Sequence, residues 1–493
     1  MNPASDASFG IFLGSHCYSL SKQRAFALLS GDHNPNHVDP VEARRTLTGA
    51  LTVHGMHLAF CALEAALKYL EKVAKNELRL GGMQAFFHKP VLVGDVVQIY
   101  LTEKSAEKCQ VVCLVGEERV HQVTLHFPPG SISKGKSIPP PLPNEPLRSA
   151  TFYELKSANG HMPIGLDRSA ASKLFPRSIK SLGNARMAEL LALTRLVGMR
   201  CPGLHSLFSQ FDVSWTSGNG PWLLHYRVAK SDERFRRLQI EVSTGRLKGN
   251  LNVFVRPAPV QQSSTSTIKT RVSAGSFSAS RALIIGGSRG LGEITAKIIA
   301  AGGGHPIITY FSGAKDAQTV AKDIRDSGGN CSLLRMNVKK EGSAAFLRLL
   351  KSSGAPRSIY YFATPKIFGP RRAFFDCEKF QDFQDYYITG FVRLIQTIAS
   401  ATTGLLHVFY PSSVAVQENR RELAEYSIAK QTAESVCAFY NQHSDRIKIV
   451  VERLPRTRTD QTGTLMPIPA DEPLDVMLPF VERIEHLVSK SRT

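Results

Sequence analysis

Hydrophobic and polar positions in the first 260 residues fall into a pattern that occurs twice. Residues 56–70 (MHLAFCALEAALKYL) form a long apolar helix candidate, flanked by strand-like segments at 96–101 and 120–127, where apolar and polar side chains alternate. Residues 185–199 (ARMAELLALTRLVGM) repeat the helix, and 222–228 and 238–242 repeat the alternation. One buried helix with a set of alternating strands, present twice, predicts two α+β blocks built on antiparallel sheet. Beyond residue 280 the pattern changes. Apolar runs at 282–285, 306–310, 332–336, 359–362, 405–410 and 447–451 are separated by amphipathic helical stretches, which predicts a parallel α/β sheet. Two segments poor in large apolar residues, 128–147 (Pro-rich) and 261–280 (Ser/Thr-rich), read as linkers. The expected domains are therefore 9–130, 150–258 and 280–493.

Composition narrows the class. With 493 residues, 43% hydrophobic and 21% charged, the chain is of ordinary globular make-up. No stretch approaches the ~18 apolar residues of a membrane span, and the first ten residues lack a secretory signal pattern, so a cytoplasmic, non-membrane protein is expected. The eight cysteines are scattered without C-x-x-C spacing, so neither a metal site nor a disulfide framework is expected. The net charge of +20 arises from dispersed Lys and Arg without a nucleic-acid-binding motif. It suits anionic small partners such as phosphates.

The richest local signal is Ser30-Gly31-Asp32-His33-Asn34-Pro35-Asn36-His37-Val38-Asp39-Pro40, followed by Val53-His54-Gly55-Met56 at the head of the first helix. Removing water from a 3-hydroxyacyl thioester needs a base for the α-proton, an acid for the leaving hydroxyl and a donor for the thioester oxygen. Asp32 and His37 can supply the first two if a turn brings them together, and Gly31, Asn34 and Pro35 are turn residues. Gly55 stands where a free amide and the helix dipole can meet an oxyanion. Taken alone, an Asp and a His five residues apart in a polar loop are more often only turn residues and a surface imidazole.

The segment resembles the MaoC-like family of (R)-specific enoyl-CoA hydratases, whose signature runs SGD-x-NP-x-H-x-D-P, then HGM seventeen residues after the His; His37 to His54 is also seventeen. Phe87-His88-Lys89-Pro90-Val91-Leu92-Val93-Gly94-Asp95 is similar to that family's F-x-x-P-V-x-x-G-D segment. The resemblance implies a hotdog fold, Asp32 and His37 as catalytic dyad, Gly55 as oxyanion donor and Asn34 as an organiser of the loop. The middle block carries no counterpart of this signature. It reads as a second, non-catalytic hotdog enclosing the acyl chain, with His205 in a structural role.

In the last block Gly286-Gly287-Ser288-Arg289-Gly290-Leu291-Gly292 lies between the first strand and first helix, where glycines let backbone amides reach a pyrophosphate. After the second strand come Thr309-Tyr310-Phe311-Ser312, with no acid to repel a 2′-phosphate, and Arg289 is placed to bind one; NADPH is the expected cofactor. Downstream are Ser413, and Tyr426 with Lys430 one helical turn on. Ketone reduction needs a proton donor, and a nearby ammonium is expected to lower the phenol's pKa while a serine hydroxyl positions the carbonyl.

This order, with Ser413 thirteen residues before Tyr426, resembles the short-chain dehydrogenase/reductase family. The resemblance implies a doubly wound Rossmann sheet, Ser413, Tyr426 and Lys430 as catalytic residues, and Gly286, Ser288, Arg289, Gly290, Leu291, Gly292, Asn337, Ala363, Tyr426 and Lys430 at the cofactor. The chain departs from that family at Ile285, at Phe362-Ala363-Thr364-Pro365, at Asn337, at Tyr387 where an Asn is usual, and at Pro455-Arg456. The two chemistries are consecutive: reduction of a 3-oxoacyl thioester yields the substrate for dehydration to the trans-2-enoyl thioester. The expected partners are acyl-CoA or an acyl carrier protein thioester, and the chain is expected to self-associate. The alternatives are a hydratase/dehydratase with an inactive reductase domain and a non-catalytic acyl-thioester scaffold.

Overall fold

The computed structural model describes residues 9–73, 80–128, 138–340, 346, 356–368, 374–418, 420–466 and 468–491. The chain divides into two compact units, parting at Ala258 and Pro259.

The first unit contains a ten-stranded sheet. Its first half supplies β1 (Ile11–Cys17), β2 (Gly82–Phe87), β3 (Val96–Lys104), β4 (Lys108–Val115) and β5 (Glu118–His126). Its second half supplies β6 (Asn159–Pro163), β7 (Ser206–Trp215), β8 (Leu223–Asp232), β9 (Arg237–Ser243) and β10 (Leu247–Val255). The strand order is β1-β3-β4-β5-β2-β7-β10-β9-β8-β6, so from either edge inward the two halves run in the same order. They join through antiparallel β2 and β7, with Met83 opposite Val213.

Each half carries one long helix. In Gly55–Val73, Met56, Ala59, Phe60, Leu63, Ala66, Leu67 and Leu70 are buried at helical spacing. The second helix begins earlier than its apolar run predicts, at Pro176, because its first turns are polar; Gly183, at φ 76°, kinks it before the buried stretch. Residues 196–200 then continue as a π-helical turn. Leu63 and Leu190, one from each half, share a single apolar core.

Among its described residues the second unit holds six parallel strands: β11 (Arg281–Ile285), β12 (His305–Tyr310), β13 (Ser332–Arg335), β14 (Ser358–Tyr361), β15 (Leu406–Ser413) and β16 (Ile447–Leu454). Their order is β13-β12-β11-β14-β15-β16. Alternate β11 residues enter separate cores: Ala282 and Ile284 pack with Ile298 and Val481, while Leu283 and Ile285 pack with Phe391 and Leu394. Both faces are therefore covered, and the order in which successive strands are added reverses between β11 and its parallel neighbour β14, where such sheets open a ligand crevice.

The segment 261–280 is not a free linker. Ile268, Val272 and Phe277 are buried in the second unit's core, and the Thr265 amide donates to Asp323 (3.0 Å). Three widely spaced apolar side chains suffice to dock a stretch whose average composition is polar, so this unit begins some twenty residues before 280. Of the first proposed linker, residues 129–137 lie outside the described residues. Beyond them the chain lies along the second half: Pro140 accepts the Leu166 amide (2.9 Å) and Glu145 pairs with Arg200 (2.7 Å). Among the described residues, no helix is long and apolar enough to cross a membrane.

Candidate active sites

In the first unit, the Asp32 loop is built by local turns. Gly31 closes the helix Leu20–Ser30 in the left-handed conformation (φ 72°), and the Asn34 side chain caps the short helix Pro35–Val38 by accepting the Asn36 amide (3.1 Å). This folds the loop so that one carboxylate oxygen of Asp32 and one ring nitrogen each of His37 and His54, the latter from the head of the long helix, lie within 4.8 Å of one another. The His37 and His54 rings stack with centroids 3.9 Å apart. His37 Nδ1 lies 2.8 Å from the Thr52 carbonyl, which only accepts, so in the neutral ring Nδ1 carries the hydrogen and Nε2 the lone pair.

Burial works on the pair from both sides. It raises the pKa of Asp32, against His37, the Thr194 hydroxyl and the Asn34 amide, which favour its charged form. It lowers that of His37, against the Asp32 charge. Both directions favour a neutral pair over an ion pair. His54 is held by Gln23 Oε1 (2.8 Å) and the Asp32 carbonyl (3.0 Å). With those nitrogens and His37 Nδ1 committed to oxygen, the cluster suits proton transfer better than metal ligation. Gly55 opens the long helix beside His54, and a Cβ there would meet the Phe87 ring at 3.0 Å. Its amide belongs to the first turn, which the helix leaves unpaired.

Sequence reasoning missed part of this site. Thr194 Oγ1 donates to Asp32 Oδ2 (2.7 Å), and Asn34 Nδ2 donates to the carbonyls of Gly198 (3.0 Å) and Gly203 (3.1 Å), all from the second half. No local pattern marks Thr194, since it lies 162 residues from Asp32. His205 is buried and Ser149 lies 3.4 Å from its Nε2.

In the second unit the Gly-rich turn leaves β11 for the helix Gly290–Ala301. Gly286 (φ +77°) and Gly290 (φ +57°) adopt backbone that side chains disfavour. A Cβ on Gly286 would press on Ala363 N at 3.0 Å, and one on Gly292 would fall 2.3 Å from Gly286 O. The Gly286 amide donates to Thr309 Oγ1 (3.0 Å), tying the turn to the end of β12. Ser288 and Leu291 lie within this turn and the first helical residues, and Asn337 follows β13, its Oδ1 accepting the Lys339 amide (3.0 Å). A narrow cradle of amides at a helix N-terminus fits a pyrophosphate.

Arg289 does not stand free. It lies 3.8 Å from Asp316 and 3.5 Å from Asp460. The acid that the strand end lacks is thus supplied from the following helix and from the region after β16, and it shares the charge expected for a 2′-phosphate.

Ser413 ends β15 and Tyr426 and Lys430 lie on the helix Ala424–His443. The Ser413 hydroxyl near the Tyr426 phenol favours its ionisation, but burial dominates and pushes the phenol up to about 12. The lysine does not offset this. Lys430 Nζ donates to the Pro411 carbonyl (2.6 Å) and sits over the rings of Tyr387 (4.1 Å) and Tyr410 (4.7 Å). Burial lowers the ammonium to about 7. The expectation that Lys430 depresses the phenol is therefore corrected: its charge is directed at a carbonyl and two ring faces. Tyr387 is buried in a π-helical turn, its hydroxyl 2.5 Å from Thr364 Oγ1, and its ring lies 5.8 Å from that of Tyr426.

Comparison with known proteins bears first on the Asp32 loop. Residues 18–123 match the family profile of a MaoC like domain. This MaoC-like stretch includes Asp32, His37 and Gly55 and stops short of the second half. No curated protein matches the chain. Similar solved structures include the angucycline C-6 ketoreductase LanV with bound NADP (18% identity, 44% of this chain and 90% of that one, TM-score 0.37). Others are FolM alternative dihydrofolate reductase 1 from Brucella canis complexed with NADP (16%, 43% and 90%, TM-score 0.37) and a 3-oxoacyl (acyl-carrier-protein) reductase from Agrobacterium tumefaciens C58 with NADP bound (14%, 42% and 86%, TM-score 0.36). At these identities and scores the likenesses decide nothing about activity, and the reading of the second unit rests on its own geometry.

Proposed function

We propose that the chain is a bifunctional acyl-thioester enzyme: its first unit, a double hotdog, dehydrates (R)-3-hydroxyacyl thioesters, and its second, a doubly wound Rossmann unit, reduces 3-oxoacyl thioesters with NADPH. The observation that carries the reading is the Asp32 carboxyl within 4.8 Å of the His37 ring beside the head of the Gly55 helix. His37 Nε2 takes the α-proton, the Gly55 amide holds the thioester oxygen as the enolate forms, and protonated Asp32 gives its proton to the departing hydroxyl, which leaves as water. One proton enters the pair and one leaves it. Addition of water to the enoyl thioester follows the same steps in reverse.

In the second unit Gly286, Ser288, Gly290, Leu291 and Gly292 would hold the pyrophosphate, Arg289 the 2′-phosphate, and Asn337 and Ala363 the adenine side of the crevice. Bound there, NADPH supplies a hydride. Ser413 orients the substrate carbonyl, the Tyr426 hydroxyl protonates the alkoxide, and Lys430 holds the nicotinamide ribose. A carrier-borne acyl group, on coenzyme A or an acyl carrier protein, is the proposed partner. The test is mass spectrometry of products from 3-oxoacyl thioester with NADPH. Enoyl product is expected, and its absence from every acyl form tried would refute the coupled scheme.

One observation favours a second reading in which only the dehydratase works: Lys430 is bonded to Pro411 and Tyr426 is pushed up to about 12. Tyr426→Phe separates the two. If the substitution leaves any NADPH oxidation unchanged, the reductase assignment falls.

A further inference from the structure

The second half of the first unit lacks the acid–base signature, yet its long helix ends on the carboxyl that the first half provides. Thr194, in the last turn of that helix, donates its hydroxyl to Asp32 Oδ2 (2.7 Å). Gly198 lies four residues on, within the π-helical turn Leu196–Arg200. A Cβ on Gly198 would fall 2.1 Å from Asp32 Oδ1 and 2.4 Å from its Cγ. The carboxyl thus occupies the place of a missing side chain. Single π-turns are frequent at functional sites, and here the turn delivers Gly198 to the carboxyl while Thr194 stays in reach of the other oxygen. From the first half, Asn34 Nδ2 bonds the Gly198 and Gly203 carbonyls and the His33 amide meets Met199 Sδ (3.2 Å), so the same turn is gripped from both sides.

We propose that the second half is a working part of the dehydratase site, with Thr194 as the positioning residue that aims the Asp32 carboxyl and sets its readiness to give up a proton. The proposal rests on the dehydratase reading of Asp32 and His37. A hydroxyl that donates to a carboxylate stabilises its charged form. Thr194 opposes burial in this, as do the other groups facing Asp32: His33 and His37 on its own loop and Arg195 on the second-half helix. His54 bonds the Asp32 backbone carbonyl, and its ring also lies within 4.8 Å of the carboxyl, held neutral by burial. Removing the Thr194 hydroxyl therefore makes Asp32 hold its proton to higher pH, and frees the carboxyl to turn.

The full-length chain is assayed for dehydration of 3-hydroxyacyl-CoA across pH, as wild type, Thr194→Val and Thr194→Ser. A hydrogen bond to a charged group is of a size to move the alkaline limb, where Asp32 loses its proton, upward by about one pH unit. Lost aim is expected to cut kcat about tenfold with KM within about twofold, as for an interaction used in the transition state and not in binding. Thr194→Ser, which keeps the donor, should stay near wild type. A merely structural threonine would leave the limb where it is. Active wild type with an unmoved limb in Thr194→Val overturns the proposal. Inactive wild type overturns the dehydratase reading instead, and the proposal is then decided by infrared titration of the carboxyl band that Asp32→Asn abolishes. A band midpoint unchanged by Thr194→Val overturns it, and an upward move supports it. If the Val variant does not fold by circular dichroism, Thr194→Ala takes its place in the same measurements.

Discussion

Lys430 offers a quantitative test, because its ammonium is buried without a carboxylate bonded to it. Burial holds it at about 7 where 10.5 is usual. At about 1.4 kcal/mol per pKa unit, the folded chain gives up roughly 4–5 kcal/mol of stability at neutral pH to keep this charge inside. Lys430→Met keeps the length and removes the charge, and forfeits the bond to Pro411 and the contacts with Tyr387 and Tyr410. Allowing about 1–3 kcal/mol for those losses, the variant should be more stable by about 1–4 kcal/mol at pH 7. For a unit of this size that is a rise in Tm of roughly 2–16 °C. The pH dependence has a definite sign. Between the folded and unfolded values the unfolded chain binds the extra proton, so wild-type stability climbs from about pH 7 toward 10.5 while the Met variant lacks that climb. The gap between them should be widest at or below pH 7, close as the pH rises and invert toward pH 10, where the wild type keeps the contacts that the variant lost. Thermal denaturation of the full-length proteins at both ends of this range provides the measurement. A Met variant no more stable than wild type at pH 7, or a gap that persists at high pH, would refute the claim that the charge is held at a cost. The same variant should lose NADPH-dependent reduction, the pairing of gained stability with lost activity expected when strain serves a site.

Three further outcomes follow from the geometry. Gly292→Ala places a Cβ 2.3 Å from Gly286 O, backbone that cannot swing aside, so NADPH binding followed by fluorescence titration should weaken at least about tenfold and the second unit should lose about 2–4 kcal/mol. Arg289→Gln should reduce the preference for NADPH over NADH by about tenfold in kcat/KM, a modest effect because Asp316 and Asp460 already share the guanidinium charge. His205→Ala should leave dehydration within about twofold of wild type while Asp32→Asn costs about a hundredfold or more, because one imidazole only fills its niche and the other group handles the proton.

Much of the architecture is legible along the chain because it is set by neighbours in sequence. The 56–70 run shows its helix since apolar side chains every third or fourth residue must share one face, and the six apolar runs after 280 mark six parallel strands since buried strands tolerate little else. The Asp32–His37 pair is legible for the same reason: Gly31, Asn34 and Pro35 dictate a turn within which the two side chains meet. Elements stabilised from outside were harder to see. β1 is an edge strand with a largely exposed surface and no apolar alternation, and it exists because β3 supplies its hydrogen bonds. Segment 261–280 is polar on average yet docked through Ile268, Val272 and Phe277.

What the sequence by itself determined is therefore the candidate reactive groups and the local frames that hold them: the turn, the helix head and the Gly-rich loop. Only tertiary structure decided who stands beside each reactive group. It set Thr194 and Gly198 against Asp32, gave Arg289 two acids, and turned the Lys430 ammonium toward Pro411 and away from the task its spacing advertised. Covalent spacing constrains partners within a turn or two. Beyond that, position is settled by how sheets and helices bury their apolar faces, and a side chain's charge answers to whatever that packing brings within reach.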